Sequence, residues 1–186
     1  MSVGSRCLSL IQWFRAHGRW KVVGAGLGVI LIVNLVLFPR APQWFGGKAV
    51  FPPLDIRLWY GAAEIRDYLS ALGAAGRAAY GATTTWIDMP YALFYGGVYT
   101  LLLALLYPGD RRLLSYPCLI FLPLLITLFD LAENIGILAA VHSFPHLPYW
   151  LRWMGYFTLM KWLFAVVTFG LALLWLIQRR HRRRAD

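Results

Sequence analysis

Four runs of apolar residues, each long enough to cross a bilayer, restrict this chain to one class of fold. They cover about residues 22–38, 86–107, 113–141 and 153–177. No water in the hydrocarbon core can satisfy an exposed backbone, so a segment of roughly 17–25 apolar residues crosses it as a helix. The third run also carries Asp130, Glu133 and Asn134 within the stretch Phe129-Asp130-Leu131-Ala132-Glu133-Asn134. A charge at that depth costs roughly 2.5–3.5 kcal/mol on insertion scales and calls for a partner or a wet cavity.

Composition agrees with membrane insertion. Hydrophobic residues make up 60% of the 186 and charged residues 14%, with a mean hydropathy of +0.59. A soluble domain carries about a quarter charged residues. The formal charge of +10 does not signal nucleic acid, because the basic residues gather at the ends of the apolar runs, as topology signals do. Cys7 and Cys118 form neither a redox motif nor a metal spacing, and two unpaired thiols are expected.

Residues 1–21 mix Arg6, Arg15, Arg19 and Lys21 with Leu8, Leu10, Ile11, Trp13 and Phe14. They read as a short amphipathic segment on the cytoplasmic surface. The first run is too long for a signal-peptide core and lacks an Ala-x-Ala cleavage site, so it reads as an uncleaved span closed by Pro39. Residues 39–85 form an outer loop. Pro42, Gly46, Gly47, Pro52 and Pro53 make its first part irregular. From Asp55 onwards, Ile65, Leu69, Leu72, Gly76 and Ala79 share one face while Glu64, Arg66 and Asp67 lie off it. That pattern predicts an amphipathic surface helix with a break at Gly73 or Gly76. Pro108-Gly109-Asp110-Arg111-Arg112 makes a cytoplasmic turn, Pro117 and Pro123 kink the third span, and residues 142–150 form a short outer loop.

Orientation follows from the basic residues. Four lie in the N-terminal segment, two in the 108–112 turn and five in the C-terminal tail (Arg179, Arg180, Arg182, Arg183, Arg184); the five in the 39–85 loop are partly offset by three acids. Four spans place both termini on one side, and the positive-inside rule makes it the cytoplasmic side. Trp44, Trp59, Trp86, Trp150 and Trp153 then fall near the outer interface. The expected architecture is all-α: one domain over residues 1–186, a bundle of four transmembrane helices with cytoplasmic termini and a surface helix in the first outer loop.

This topology puts Asp88, Asp130, Glu133 and Lys161 in the outer half of the membrane. Asp88, Tyr91, Tyr95 and Tyr99 share a helix face; Thr127, Asp130 and Asn134 make a second stripe with Glu133 beside it; Thr158, Lys161 and Thr168 make a third. Three carboxylates against one lysine leave two negative charges to account for. Burial can keep a carboxyl protonated, a cation or amine can enter, or Arg77 can fold down bidentately onto the acids. The favoured combination is Arg77 with one protonated acid, since eleven residues separate Arg77 from Asp88 and a continuous helix would put them on nearly one face.

Two uses of this cluster compete with a proton path. It can join helices by hydrogen bonds worth roughly 0.6–2 kcal/mol each, or it can bind a ligand. His142 and His146, beside prolines, read as interfacial and not as metal ligands. No metal or cofactor is expected, bis-histidine haem ligation finds no support, and no Ser–His–acid set, phosphate-binding glycine loop or His-Glu-x-x-His occurs.

The run Tyr68-Leu69…Leu72-Gly73-Ala-Ala-Gly76-Arg77-Ala-Ala-Tyr80, with Asp88, Pro90, Tyr91, Asp130, Glu133, Asn134, Pro145, Thr158, Lys161 and Trp162, resembles a group of small four-span bacterial membrane proteins, over about residues 55–175. The resemblance implies a four-span fold in a bacterial inner membrane and an intramembrane polar cluster, and no reaction. The leading functional expectation is a non-enzymatic accessory or assembly subunit, in contact with lipids and other membrane subunits. The alternatives are a lipid- or amphiphile-binding protein or enzyme using the outer-half Asp/Glu/Lys cluster, and a small proton-coupled carrier.

Overall fold

The computed structural model describes residues 3–18, 20–47, 53–109 and 116–185. Arg19, Lys48, Pro52 and the predicted Arg111–Arg112 turn lie outside the described residues. What is described is all-helical, without strands, and includes four helices long and apolar enough to cross a membrane. These run over Trp20–Trp44, Ala62–Leu106, Pro117–Ser143 and Tyr149–His181.

Helix α1 spans Val3–His17 and precedes the first long helix. The latter begins as α2 (Trp20–Ile32), widens into a π-type turn over Val33–Leu37 and continues as α3 (Phe38–Trp44). Pro39 therefore does not close the helix as the sequence suggests. The second long helix repeats the device: α4 (Ala62–Thr83), a π-type turn over Thr84–Asp88, then α5 (Met89–Leu106), with Pro90 in the first turn of α5. In each case a proline follows two residues after the widened turn. A proline lacks the N–H and its ring presses on the carbonyl four residues back, and the wider turn makes room for it.

Helix α4 joins directly onto the second span, so the expected surface helix and the span form one unit, bent at Gly73. That glycine has φ 66° and ψ −180°, a region that essentially only glycine occupies. Gly73→Ala is expected to destabilise the protein by about 1–3 kcal/mol, read as a lower thermal midpoint of the detergent-purified protein. Before the bend, Ile65, Tyr68 and Leu69 are buried while Glu64, Arg66 and Asp67 are exposed.

The third helix opens with a 3₁₀ turn over Pro117–Phe121 and becomes α6 (Leu122–Ser143); the fourth opens over Tyr149–Trp153 and becomes α7 (Met154–Ala185). Pro117 and Pro123 stand in first turns and do not kink the middle of a helix. At that position a proline omits only an N–H that has no helical partner.

The bundle core forms three apolar layers. One gathers Leu54, Tyr60, Ile65, Leu69, Ile137 and Met154; a middle one Ile30, Ala92, Tyr95 and Ile126; a third Ile11, Leu103, Tyr107, Ile120, Leu171 and Trp175. At the third layer Arg15 Nε donates to the Ala104 carbonyl (3.3 Å), its Nη2 to the Tyr107 carbonyl, and Arg179 Nη1 to the Leu105 carbonyl (2.7 Å). Two guanidinium groups thus cap the carbonyl end of α5, where the helix dipole favours cations.

Cys7 and Cys118 are joined in a disulfide, not left as free thiols. Helix α1 packs along the Pro117–Phe121 turn, so the two α-carbons lie 5.5 Å apart, within the range a disulfide bridges. Their sequence separation of 111 leaves no local pattern from which the pairing could be read.

Candidate functional site

The charged residues lie between the first and middle apolar layers. Steps of three and four along α6 place Thr127, Asp130 and Asn134 on the side facing α5, with Glu133 turned towards α7. Helix α7 contributes Thr158 and Lys161, one turn apart.

Glu133 is 0% exposed. Its Oε1 accepts from the Tyr60 hydroxyl (2.7 Å) and the Thr158 hydroxyl (2.6 Å), and its Oε2 from Lys161 Nζ (2.5 Å). Lys161 Nζ also donates to Asp130 Oδ1 (3.1 Å) and to the backbone carbonyl of Asp55 (2.8 Å). The three acceptors match the three protons of an ammonium. Asp130 Oδ2 accepts from the Tyr95 hydroxyl (2.8 Å). The result ties α5, α6, α7 and the loop before α4 together through charge-assisted bonds.

Two members of this network escaped the sequence reading. Asp55 and Tyr60 lie in and just after the Leu54–Ile56 turn, where no helical period marks an inward face. Burial pushes the Asp55 carboxyl above its ordinary range; Lys161 opposes the shift and Asp130 adds to it. Burial likewise raises the Tyr60 phenol, reinforced by the neighbouring Glu133 charge. An aspartate in a proline-flanked turn and a tyrosine before a helix are common, so neither carried a signal on its own.

Arg77 does not join the acids. Its Nη1 donates to the Leu69 carbonyl (3.0 Å), across the Gly73 bend, and its guanidinium lies 4.2 Å from the centre of the Phe144 ring. Eleven residues correspond to about 16 Å of helix, beyond the reach of an arginine. The widened turn at Thr84–Asp88 also adds a residue to one turn, which rotates the following face by about 100° and removes the shared face.

The tyrosine stripe divides. Tyr95 serves the ion cluster. Tyr91 accepts a hydrogen bond from Asn34 Nδ2 of the first span, a polar residue the sequence reading passed over. The Tyr91 and Tyr95 rings are 5.2 Å apart and the Tyr95 and Tyr99 rings 5.7 Å.

Asp88 and Asn134 remain apart from the network. Asp88 is 7% exposed, and no hydrogen bond or ion pair to it occurs among the described residues. Asn134 is 0% exposed, and neither polar atom of its amide has a hydrogen-bond partner. Three contacts set the register between their helices. Thr127 donates to the Ala92 carbonyl (3.0 Å), Tyr95 to Asp130, and a Cβ on Gly81 would lie 3.4 Å from Val141 and 3.9 Å from Leu138. The helices run antiparallel, so midway between the last two contacts Asn134 stands level with Asp88.

Among the described residues no group of three or more His, Cys, Asp or Glu side chains could hold a metal ion. His142 and His146 are exposed, and His142 Nδ1 lies 2.7 Å from the Leu138 carbonyl. Both oxygens of Glu133 accept hydrogen bonds and all three protons of Lys161 are donated. Comparison with family models, with curated proteins and with solved structures finds no match.

Proposed function

We propose that the protein is a non-enzymatic, multi-pass protein of a bacterial inner membrane that packs as an accessory or assembly subunit against a larger membrane complex. Both termini face the cytoplasm, and residues 62–72 of α4 lie along the outer surface with Glu64, Arg66 and Asp67 towards water. The basic termini and the amphipathic pattern of that segment support this placement.

The observation that carries the reading is the open face of the first span. Helix α2 packs on α5 through Gly26, whose added Cβ would meet Val98 Cγ2 at 2.7 Å. On its other side Gly24 and Gly28 have nothing within 4 Å of an added Cβ, and Leu31 and Leu35 continue that exposed face. Small residues four apart let a second membrane helix approach closely, which drives association where lipid offers no hydrophobic gain. The closed network around Glu133 supports a holding role over acid–base chemistry.

Native mass spectrometry after mild extraction from the source membrane tests this. A complex of fixed stoichiometry with another membrane protein is expected, lost in the Gly24→Ile/Gly28→Ile variant while the bundle stays folded. A lone wild-type chain, or only a pair of identical copies, would overturn the accessory reading.

A further inference from the structure

We propose that Asp88 and Asn134, level with each other on neighbouring helices and beside Asp55, bind a small monovalent inorganic cation. Two observations meet there independently. The first is charge. Asp130 and Glu133 share the one ammonium of Lys161, while the Asp55 and Asp88 carboxylates make no contact with it, and Asp88 lies close enough to the other three acids and to Lys161 to feel their charges. Lys161 is fully used by Glu133, Asp130 and the Asp55 carbonyl, and Arg77 is held at Leu69 and Phe144. Neither cation is free to neutralise Asp88.

The second observation is the orphaned amide. A fully buried Asn134 with neither polar atom bonded forfeits the hydration of both, a penalty of about 1–3 kcal/mol per group, and native interiors rarely leave it uncompensated. A proton on Asp88 alone does not answer it, because no hydrogen bond joins the two side chains. A hydrated cation held between them would satisfy both groups.

The donor set selects the ligand class. Carboxylate, amide carbonyl and water are hard oxygen donors, which suit hard cations and not thiophilic or imidazole-seeking metals. Six to eight oxygens with several carboxylates would favour a divalent ion, and no such convergence occurs among the described residues. One carboxylate, one amide oxygen and waters suit a monovalent ion, with Asn134 Nδ2 donating to a water of its shell. The widened turn that ends on Asp88 is of a kind often found at functional sites.

Thermal unfolding of the detergent-purified full chain in sodium, lithium, potassium or choline chloride, at one ionic strength and pH, tests the proposal. One alkali cation is expected to raise the midpoint saturably relative to choline, as a ligand of the folded state does. Asp88→Asn is expected to weaken that response about tenfold or more while the choline midpoint stays near wild type. Equilibrium binding of radioactive sodium to the wild-type protein, with the other alkali ions as competitors, reads the site without a variant, and saturation near one ion per chain is expected. A midpoint indifferent to the cation together with no saturable binding would mean that water or a proton occupies the site, and would overturn the proposal. So would a response to magnesium or calcium alone, or an Asp88→Asn protein that keeps the full alkali response.

Discussion

Lys161→Met is expected to destabilise the protein by about 3–5 kcal/mol, the usual consequence of removing one partner from a buried ion pair. The reason is local. Lys161 Nζ lies 2.5 Å from Glu133 and 3.1 Å from Asp130, and the substitution leaves both acids in the core without a cation. It also frees the Asp55 carbonyl, loosening the loop that brings Tyr60 to Glu133. A neutral interhelical hydrogen bond in a membrane bundle is worth only roughly 0.6–2 kcal/mol, so this loss should exceed that of any single hydroxyl in the network. The measurement is chemical unfolding in a fixed detergent, with Lys161→Met, Glu133→Leu and the double variant side by side. An apolar replacement is nearly neutral only when the whole buried ion cluster is replaced, so the double variant should recover only the part of the loss due to Glu133, because Asp130 stays in the core with the Tyr95 hydroxyl as its donor. A single variant within about 0.5 kcal/mol of wild type, the range of an ordinary surface change, would show that the ammonium does not hold these acids.

Gly155→Ala is expected to cost about 1–3 kcal/mol, the range for overpacking a filled core. The added Cβ would lie 2.7 Å from Trp59 Cδ2 and 2.8 Å from the Tyr60 carbonyl oxygen. One obstacle is backbone, so a rotamer change cannot relieve it and the loop before α4 must move. That displacement carries Tyr60 away from Glu133 and the Asp55 carbonyl away from Lys161, so the effect should be partly shared with Lys161→Met. A double-mutant cycle reads the sharing as a loss smaller than the sum of the two single losses. Gly97, exposed and with nothing within 4 Å of an added Cβ, is the control, and Gly97→Ala should stay within about 0.5 kcal/mol. If the two glycines respond alike, the close approach of α7 to the loop is not what holds that loop in place.

Both predictions join residues that were plain in the sequence to residues that were hard to read. Asp130, Glu133 and Lys161 stood out because a charge inside an apolar run is conspicuous. Asp55 and Tyr60 did not, because in a proline-flanked turn a polar or aromatic residue is unremarked. Arg77 looked well placed from its spacing alone, and failed because that spacing assumed an uninterrupted 3.6-residue helix. Pro90 was visible, but the widened turn it accompanies is a response of the backbone to its surroundings. The Cys7–Cys118 bridge was likewise out of reach, since it depends on how α1 lies against the start of the third long helix.

The sequence by itself determined the helical class, the four long apolar helices and four of the charges inside them. Segment length, hydropathy and the 3.6-residue period are properties of local chain, and the need to satisfy every backbone group in an apolar setting leaves a helix as the answer. The tertiary structure decided which polar groups are satisfied and which are left over. Lys161 meets the Asp55 carbonyl across 106 residues, and Asn134 stands level with Asp88 through the register of two antiparallel helices. Such meetings depend on how distant segments pack and shift against one another, because a hydrogen bond forms only within a few tenths of an ångström of its proper distance.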